Sequence, residues 1–156
     1  MPTIQVQAVI QAPTERVFDL CRNVEVHVIS TAQTHEKAVA GVTTGLLGLD
    51  DVVTWEATHL GVRQQLTSCI TQFEPPFFFQ DKMVCGAFEA FTHDHNFYTR
   101  GKNTVVEDRF IFISPFGLIG TIFNQLFLTE YMRNFLNQRL QVIRNISESS
   151  EWEKYL

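Results

Sequence analysis

Ile4, Val6, Ala8 and Ile10 alternate with Gln5 and Gln7, and Gln11 follows. Successive side chains of a strand point to opposite faces, so this period predicts a half-buried strand. Ala12-Pro13-Thr14 then opens a short helix, Glu15–Arg22, with Val17, Phe18 and Cys21 on one side. A second short helix is predicted over Val24–Ile29, a strand over Thr34–Ala40 and a loop over Gly41–Gly48. Strand-like runs follow at Asp51–Leu60, Val62–Phe73, Phe77–Cys85, Phe88–Thr99 and Thr104–Ser114. Their separators are Gly61, Glu74-Pro75-Pro76, Gly86 and Gly101-Lys102-Asn103. Connections this short suit antiparallel neighbours, and so a meander.

Leu118–Asn145 is the one long helical pattern, with Ile119, Ile122, Leu126, Met132, Phe135, Leu136, Leu140 and Ile143 recurring on a helical period. Arg133, Arg139 and Arg144 lie in its second half, where cations suit a helix C-terminus. Residues 1–146 read as one domain, and the polar tail Ser147–Leu156 is expected to fray. A sheet with one solvated face must cover the other, and only the long helix is large enough to do so. The expected class is α+β: a curved antiparallel sheet of about seven strands gripping the C-terminal helix, with two short helices after the first strand. A curved sheet need not fill all the space beneath the helix, and that space is the expected cavity.

Strand parity selects the residues that face it. Phe91, His93, His95 and Phe97 share one face, against Ala90, Thr92, Asp94, Asn96 and Tyr98. A face mixing Phe with His suggests a lined pocket more than a plain core. The same parity turns Val53, Trp55, Ala57 and His59 inward, then Val62, Leu66, Ser68 and Ile70, then Phe79, Asp81, Met83 and Cys85. Val106, Asp108, Phe110 and Phe112 complete the set. Its polar members are His59, Asp81, His93, His95 and Asp108, and a buried polar group without a partner costs a few kcal/mol. They can satisfy one another, or they can satisfy a ligand.

Composition narrows the chemistry. Phe is abundant, 14 of 156 residues, and supplies flat apolar walls or a thick core. The formal net charge is -5 and no Lys/Arg cluster exists, so nucleic-acid binding is excluded. Cys21, Cys69 and Cys85 show no CxxC spacing, which argues against a disulfide framework or structural zinc. The N-terminus lacks signal-peptide character and a reducing cytoplasm is expected. Phe110–Thr129 carries no charge, but Ser114, Pro115, Gly117, Gly120, Asn124 and Gln125 interrupt it. It reads as strand, turn and helix start, not as a transmembrane span.

His93, His95, Asp81 and Asp108 are the candidate catalytic set, with an Asp fixing an imidazole tautomer for acid–base work. The competing reading is a set of structural hydrogen bonds and ion pairs. The H-x-H spacing can also chelate, but His59 or Asp81 would have to supply a third ligand. We therefore expect no metal and no cofactor, and neutral imidazoles that orient a ligand. The expected lining is Trp55, His59, Phe79, Phe91, His93, His95, Phe97, Phe110 and Phe112, with Phe123 and Tyr131 from the long helix. Cys85 faces inward by parity as an inert thiol, and His27 and His35 show no clear partner.

The order of elements resembles a known family. Ile10-Gln11-Ala12-Pro13-Thr14-Glu15-Arg16-Val17-Phe18, Val52-Val53-Thr54-Trp55, the Phe88–Phe97 stretch and Ser114-Pro115-Phe116-Gly117 before the last helix carry the resemblance. They are similar to the START-like, polyketide cyclase/dehydratase-like proteins of the SRPBCC superfamily, which share the helix-grip fold of the birch pollen allergen. The resemblance spans nearly the whole chain. It implies a deep hydrophobic cavity for a lipid, sterol, quinone or polyketide-like molecule, and in some members cyclisation or dehydration. The superfamily has no universal catalytic motif, so no catalytic residue carries over. The expected function is binding of one small hydrophobic molecule. The alternatives are a cyclase or dehydratase using the inward His/Asp set, and an adaptor with a filled core.

Overall fold

Each stretch of period two becomes a strand. The computed structural model describes residues 1–114 and 121–156, the side chains of 121–124 excepted. Strand β1 (Thr3–Ile10) leads into helices α1 (Thr14–Cys21) and α2 (Val24–Ser30). Strands β2 (Lys37–Gly41), β3 (Val52–His59), β4 (Val62–Glu74), β5 (Phe78–Cys85), β6 (Ala90–Arg100) and β7 (Asn103–Ile113) follow, and helix α3 (Thr121–Glu148) comes next. The strand expected from Thr34 starts later. Ala32–Thr34 is a single 3-10 turn, ended by His35 in the left-handed region at φ 51°. The turn expected at Ser114–Gly117 and the helix start at Leu118 lie largely outside the described residues.

The sheet order is β1-β7-β6-β5-β4-β3-β2, with every neighbouring pair antiparallel. β2 to β7 form the meander. β1 sits at the far edge beside β7, so α1 and α2 carry the chain across the inner face from one edge to the other. Asn23 starts α2 by accepting the Val26 amide on its side-chain oxygen at 2.9 Å, which satisfies one of the free amides of a helix N-terminus. Phe18 on α1 is the wedge against the sheet, its ring 5.6, 5.6 and 5.2 Å from those of Phe73, Phe79 and Phe97.

Two bulges in the β4–β5 pairing adjust the parity. β4 pairs Ile70 with Asp81 but Gln72 with Gln80, so Thr71 is an extra residue. The extra residue restores an inward direction to Phe73, which simple alternation would have turned outward. Between Thr67↔Cys85 and Ser68↔Met83 the second irregularity makes Val84 the extra residue. Cys85 is therefore exposed rather than inward, because it pairs with the outward-facing Thr67.

Helix α3 divides along its length. Leu128, Tyr131, Met132, Phe135, Leu136 and Arg139 face a cavity, whereas Leu140, Ile143 and Ile146 are buried in the closed core. Leu126, expected on this face, is 69% exposed. It stands six residues before Met132, which at about 100° per residue puts it about a third of a turn round the helix from that side chain. The polar tail does not fray. Ser147 is buried, residues 150–154 form a 3-10 helix, the Arg16 guanidinium lies 4.0 Å over the Trp152 ring, and Asn23 donates to the Tyr155 carbonyl at 3.2 Å. Among the described residues, no helix is long and apolar enough to cross a membrane.

Phe18→Ala should cost about 3–5 kcal/mol in chemical denaturation, because the cavity left under α1 cannot collapse against three rings. Phe77→Ala, at a ring 56% exposed, should stay within about 0.5 kcal/mol of the parent. Equal losses for the two would show that α1 is not held by this wedge.

Candidate functional site

The space between sheet and helix is a cavity of about 430 Å³. Val53, Trp55, Ala57, Leu66, Ile70, Phe79, Phe91 and Phe110 wall it from the sheet, and Leu128 to Leu136 of α3 roof it. Leu60 and Val62 also line it yet are 57% and 59% exposed, which places a mouth at the β3–β4 turn. At that mouth the His59 Nδ1 and the Tyr131 hydroxyl lie 2.7 Å apart. Burial lowers the His59 pKa, opposed by the Glu36 charge. The neutral ring is then the natural acceptor of the Tyr131 O–H. Glu36 lies 3.3 Å from His27 Nε2, and His27 stacks on Trp55 at 4.0 Å between centroids. Burial would raise Glu36, but the His27 charge and hydrogen bonds from His27 and Thr31 hold it below the usual carboxylate value. Sequence parity missed His27 and Glu36 because neither lies on the strands it was applied to.

The opposite wall carries the charged cluster, and strand register builds it. His93 and His95, two apart on β6, face the same way. Asp81 of β5 pairs directly with His93, and Asp108 of β7 pairs directly with His95. The four side chains thus form a square across three strands. His95 Nε2 is 3.0 Å from Asp81 Oδ1, and His95 Nδ1 is 2.9 Å from Asp108 Oδ1. Burial alone would lower the His95 pKa. The Asp108 and Asp81 carboxylates, one against each ring nitrogen, raise it instead. The imidazolium form lets both nitrogens donate.

His93 is different. Its Nδ1 is 3.8 Å from Asp81 Oδ1 and its Nε2 is 3.8 Å from Asp108 Oδ2, both too far for a hydrogen bond. Burial and the neighbouring His95 charge lower its pKa, so it is the neutral imidazole of the pair. The sequence led us to expect two neutral rings. The flanking carboxylates are what separate His95 from that expectation.

Asp108 has no exposure to water. Burial would raise its pKa, but the His95 charge and the two imidazoles hold it well below the usual carboxylate range. Burial raises Asp81 too, and the His95 hydrogen bond with the His93 and His95 charges brings it below its ordinary value. Arg139 closes the cluster from α3, with Nη1 3.6 Å from Asp108 Oδ2 and Nη2 donating to the Cys21 carbonyl at 3.0 Å. Burial pushes the Cys21 thiol up to about 12. Arg139 was expected among the cations of the helix end. It lies instead on the buried face, three residues after Leu136 and one before Leu140, and that spacing was the signal for it.

Of the expected set, Trp55, His59, Phe79, Asp81, Phe91, His93, His95, Phe110 and Tyr131 line the cavity. Phe97 and Phe112, 1% and 0% exposed, are packed in the core and do not line it. Phe97 stands against Phe18 and Phe79, and Phe112 against Phe88 and Phe110, so ring packing uses up both faces. Asp108 sits behind the two histidines, not in the wall. The Phe123 side chain lies outside the described residues.

No protein-family model and no curated protein matches the sequence. Solved structures do resemble it. TTHA0849 from Thermus thermophilus is 16% identical, covers 92% of this chain and 95% of its own, and superposes with a TM-score of 0.77. Ginseng major latex-like protein 151 from Panax ginseng is 15% identical, with 94% and 97% covered and a TM-score of 0.66. Ara h 8.0201 is 11% identical, with 91% and 97% covered and a TM-score of 0.59. Identities this low speak for fold alone. The chain has the helix-grip fold that these structures share.

Proposed function

We propose that this protein binds one small, largely apolar molecule bearing at least one polar oxygen, a lipid, sterol, quinone or polyketide-like compound, in the cavity under α3. The observation that carries the proposal is the cavity itself: about 430 Å³, walled mainly by aliphatic and aromatic side chains. Ligand sites span about 300–1,000 Å³ and combine apolar walls with a few convergent polar groups. Here the convergent groups are Asp81, His93 and His95 on one wall and His59 with Tyr131 at the mouth. An adaptor with a filled core does not fit a space of this size. The binding unit is residues 1–146. Three free cysteines support a reducing, cytoplasmic setting.

A second reading rests on His95 held between Asp81 and Asp108. A histidine clamped by two carboxylates is equipped to pass a proton through Asp81 into the cavity, as a cyclase or dehydratase would require. In that reading Asp81 touches the substrate, His95 carries the charge beside a neutral His93, and Asp108 fixes the rings.

An aromatic hydrophobic fluorophore should bind the purified chain, and at one hundred times its Kd should stabilise it by about 2.7 kcal/mol. Trp55→Ala and Phe91→Ala should each weaken that binding by about tenfold, the loss of one good apolar contact at about 1.4 kcal/mol. Unchanged affinity in both would place the ligand elsewhere.

For the second reading, Asp81→Asn should leave fluorophore affinity within about twofold while slowing conversion of a poly-β-ketone or β-hydroxy-carbonyl substrate by about 10²–10⁴. Product analysis after long incubation checks this. No conversion by the parent protein would leave binding as the whole function.

A further inference from the structure

We propose that Asp81, His93 and His95 form a site for one divalent transition-metal ion of the zinc or iron(II) type, with open coordination positions facing the cavity. This goes beyond ligand binding and does not depend on it, since the site is complete with the cavity empty. The sequence left the third ligand open, and the register between β5 and β6 supplies it. Asp81 Oδ1 lies 3.0 Å from His95 Nε2 and 3.8 Å from His93 Nδ1. One donor atom from each of the three residues lies within 4.8 Å of the others. An ion about 2.0–2.2 Å from each donor holds them roughly 3–3.5 Å apart, so shifts of about an ångström in a half-buried Asp81 and one imidazole complete the set.

The second observation concerns His93. It is 7% exposed, yet each ring nitrogen stops 3.8 Å short of a carboxylate. His93 Nε2 and Asp108 Oδ2 are both buried without a hydrogen-bond partner among the described residues. A bound ion gives this ring a purpose. Nδ1 ligates, and Nε2–H turns to Asp108 Oδ2, while His95 ligates through Nε2 and keeps Nδ1–H on Asp108 Oδ1 at 2.9 Å. One carboxylate then stands behind both ligating imidazoles and fixes their tautomers, as carboxylates do at histidine-rich metal sites. Arg139 Nη1, 3.6 Å from Asp108 Oδ2, compensates that carboxylate in turn.

Two imidazoles and one carboxylate suit zinc or iron(II), and three protein ligands leave positions for an incoming oxygen. The ion replaces the proton on His95 Nε2, because a ligating imidazole must be neutral on its donor atom. Two carboxylates, one guanidinium and one dication leave one net positive charge beside the cavity. The ligand class this favours carries an anionic or enolisable oxygen, such as a β-diketone, catechol or hydroxamate.

The test uses the full chain stripped with a chelator, then loaded with Zn²⁺, Co²⁺ or, without oxygen, Fe²⁺. Elemental analysis after gel filtration should find one ion per chain, and Co²⁺ should give visible absorption that shifts on adding acetohydroxamic acid. Asp81→Asn and His93→Ala should each abolish retention of the ion. Asp108→Asn should weaken it by about 10–100-fold, the usual effect of removing a carboxylate behind a ligating histidine. Asp81 is half-buried at the cavity wall, so its variant keeps the test valid if the Asp108 variant does not fold. Less than about a tenth of an ion per chain in the parent, or retention unchanged in both Asp81→Asn and His93→Ala, overturns the site. Fluorophore binding by the stripped chain reports separately on the cavity.

Discussion

A carboxylate with no access to water must be compensated where it lies, and Asp108 is such a group. Leaving it unpaired would cost several kcal/mol, enough to unfold an ordinary domain. Its compensation comes from two sides: the His95 imidazolium on β6 and the Arg139 guanidinium on α3. The sheet and the helix are therefore tied by charge as well as by apolar contact. Apolar packing tolerates small slippage of a helix over a sheet. An ion pair near 3.6 Å with no water to replace it does not, and so it fixes the depth and rotation of α3.

That fixed register explains how one helix both closes a core and roofs a hole. From Leu140 onward α3 lies against β1, α1 and α2, where Ile4, Val17 and Leu20 fill the space. Before Arg139 the sheet opposite is the concave middle, β3 to β6, and apart from the His59 contact with Tyr131 the cavity separates it from the helix. The charged cluster sits at the boundary between the filled and the open half. It holds the roof up at the point where apolar contacts alone would draw sheet and helix together.

Much of this was legible in the sequence because the sheet is antiparallel and one face is buried. Alternation then assigns sides residue by residue, and His93, His95, Asp81 and Asp108 could be grouped before any geometry was known. What alternation cannot supply is register. Two bulges in the β4–β5 pairing turn Phe73 in and Cys85 out, and no local residue type announces either. Nor does parity on strands see residues delivered by helices and loops, which is why His27, Glu36 and Arg139 were missed as cavity residues. Phe97 and Phe112 had the right face but the wrong neighbours. Whether an inward ring meets a cavity or another ring depends on what α1 and Phe88 place opposite it.

The pairing of β1 with β7 has a consequence for how the molecule is made. Thr3 stands opposite Ile111 and Ile10 opposite Thr104, so the first strand of this sheet to be synthesised has the last as its partner. At about 5–20 residues per second, β1 waits roughly 5–20 s for an edge to join. The meander from β2 to β6 can assemble in that interval from neighbouring hairpins, whereas the part of the inner face that α1 and α2 leave open has no roof until α3 emerges. Closure of the ends and capture of the helix are then late, non-local events, which makes this a slow-folding topology for its length. The nascent chain carries a Phe-rich, incompletely covered sheet for most of its synthesis, and its yield in the cell depends on how well that surface is shielded meanwhile.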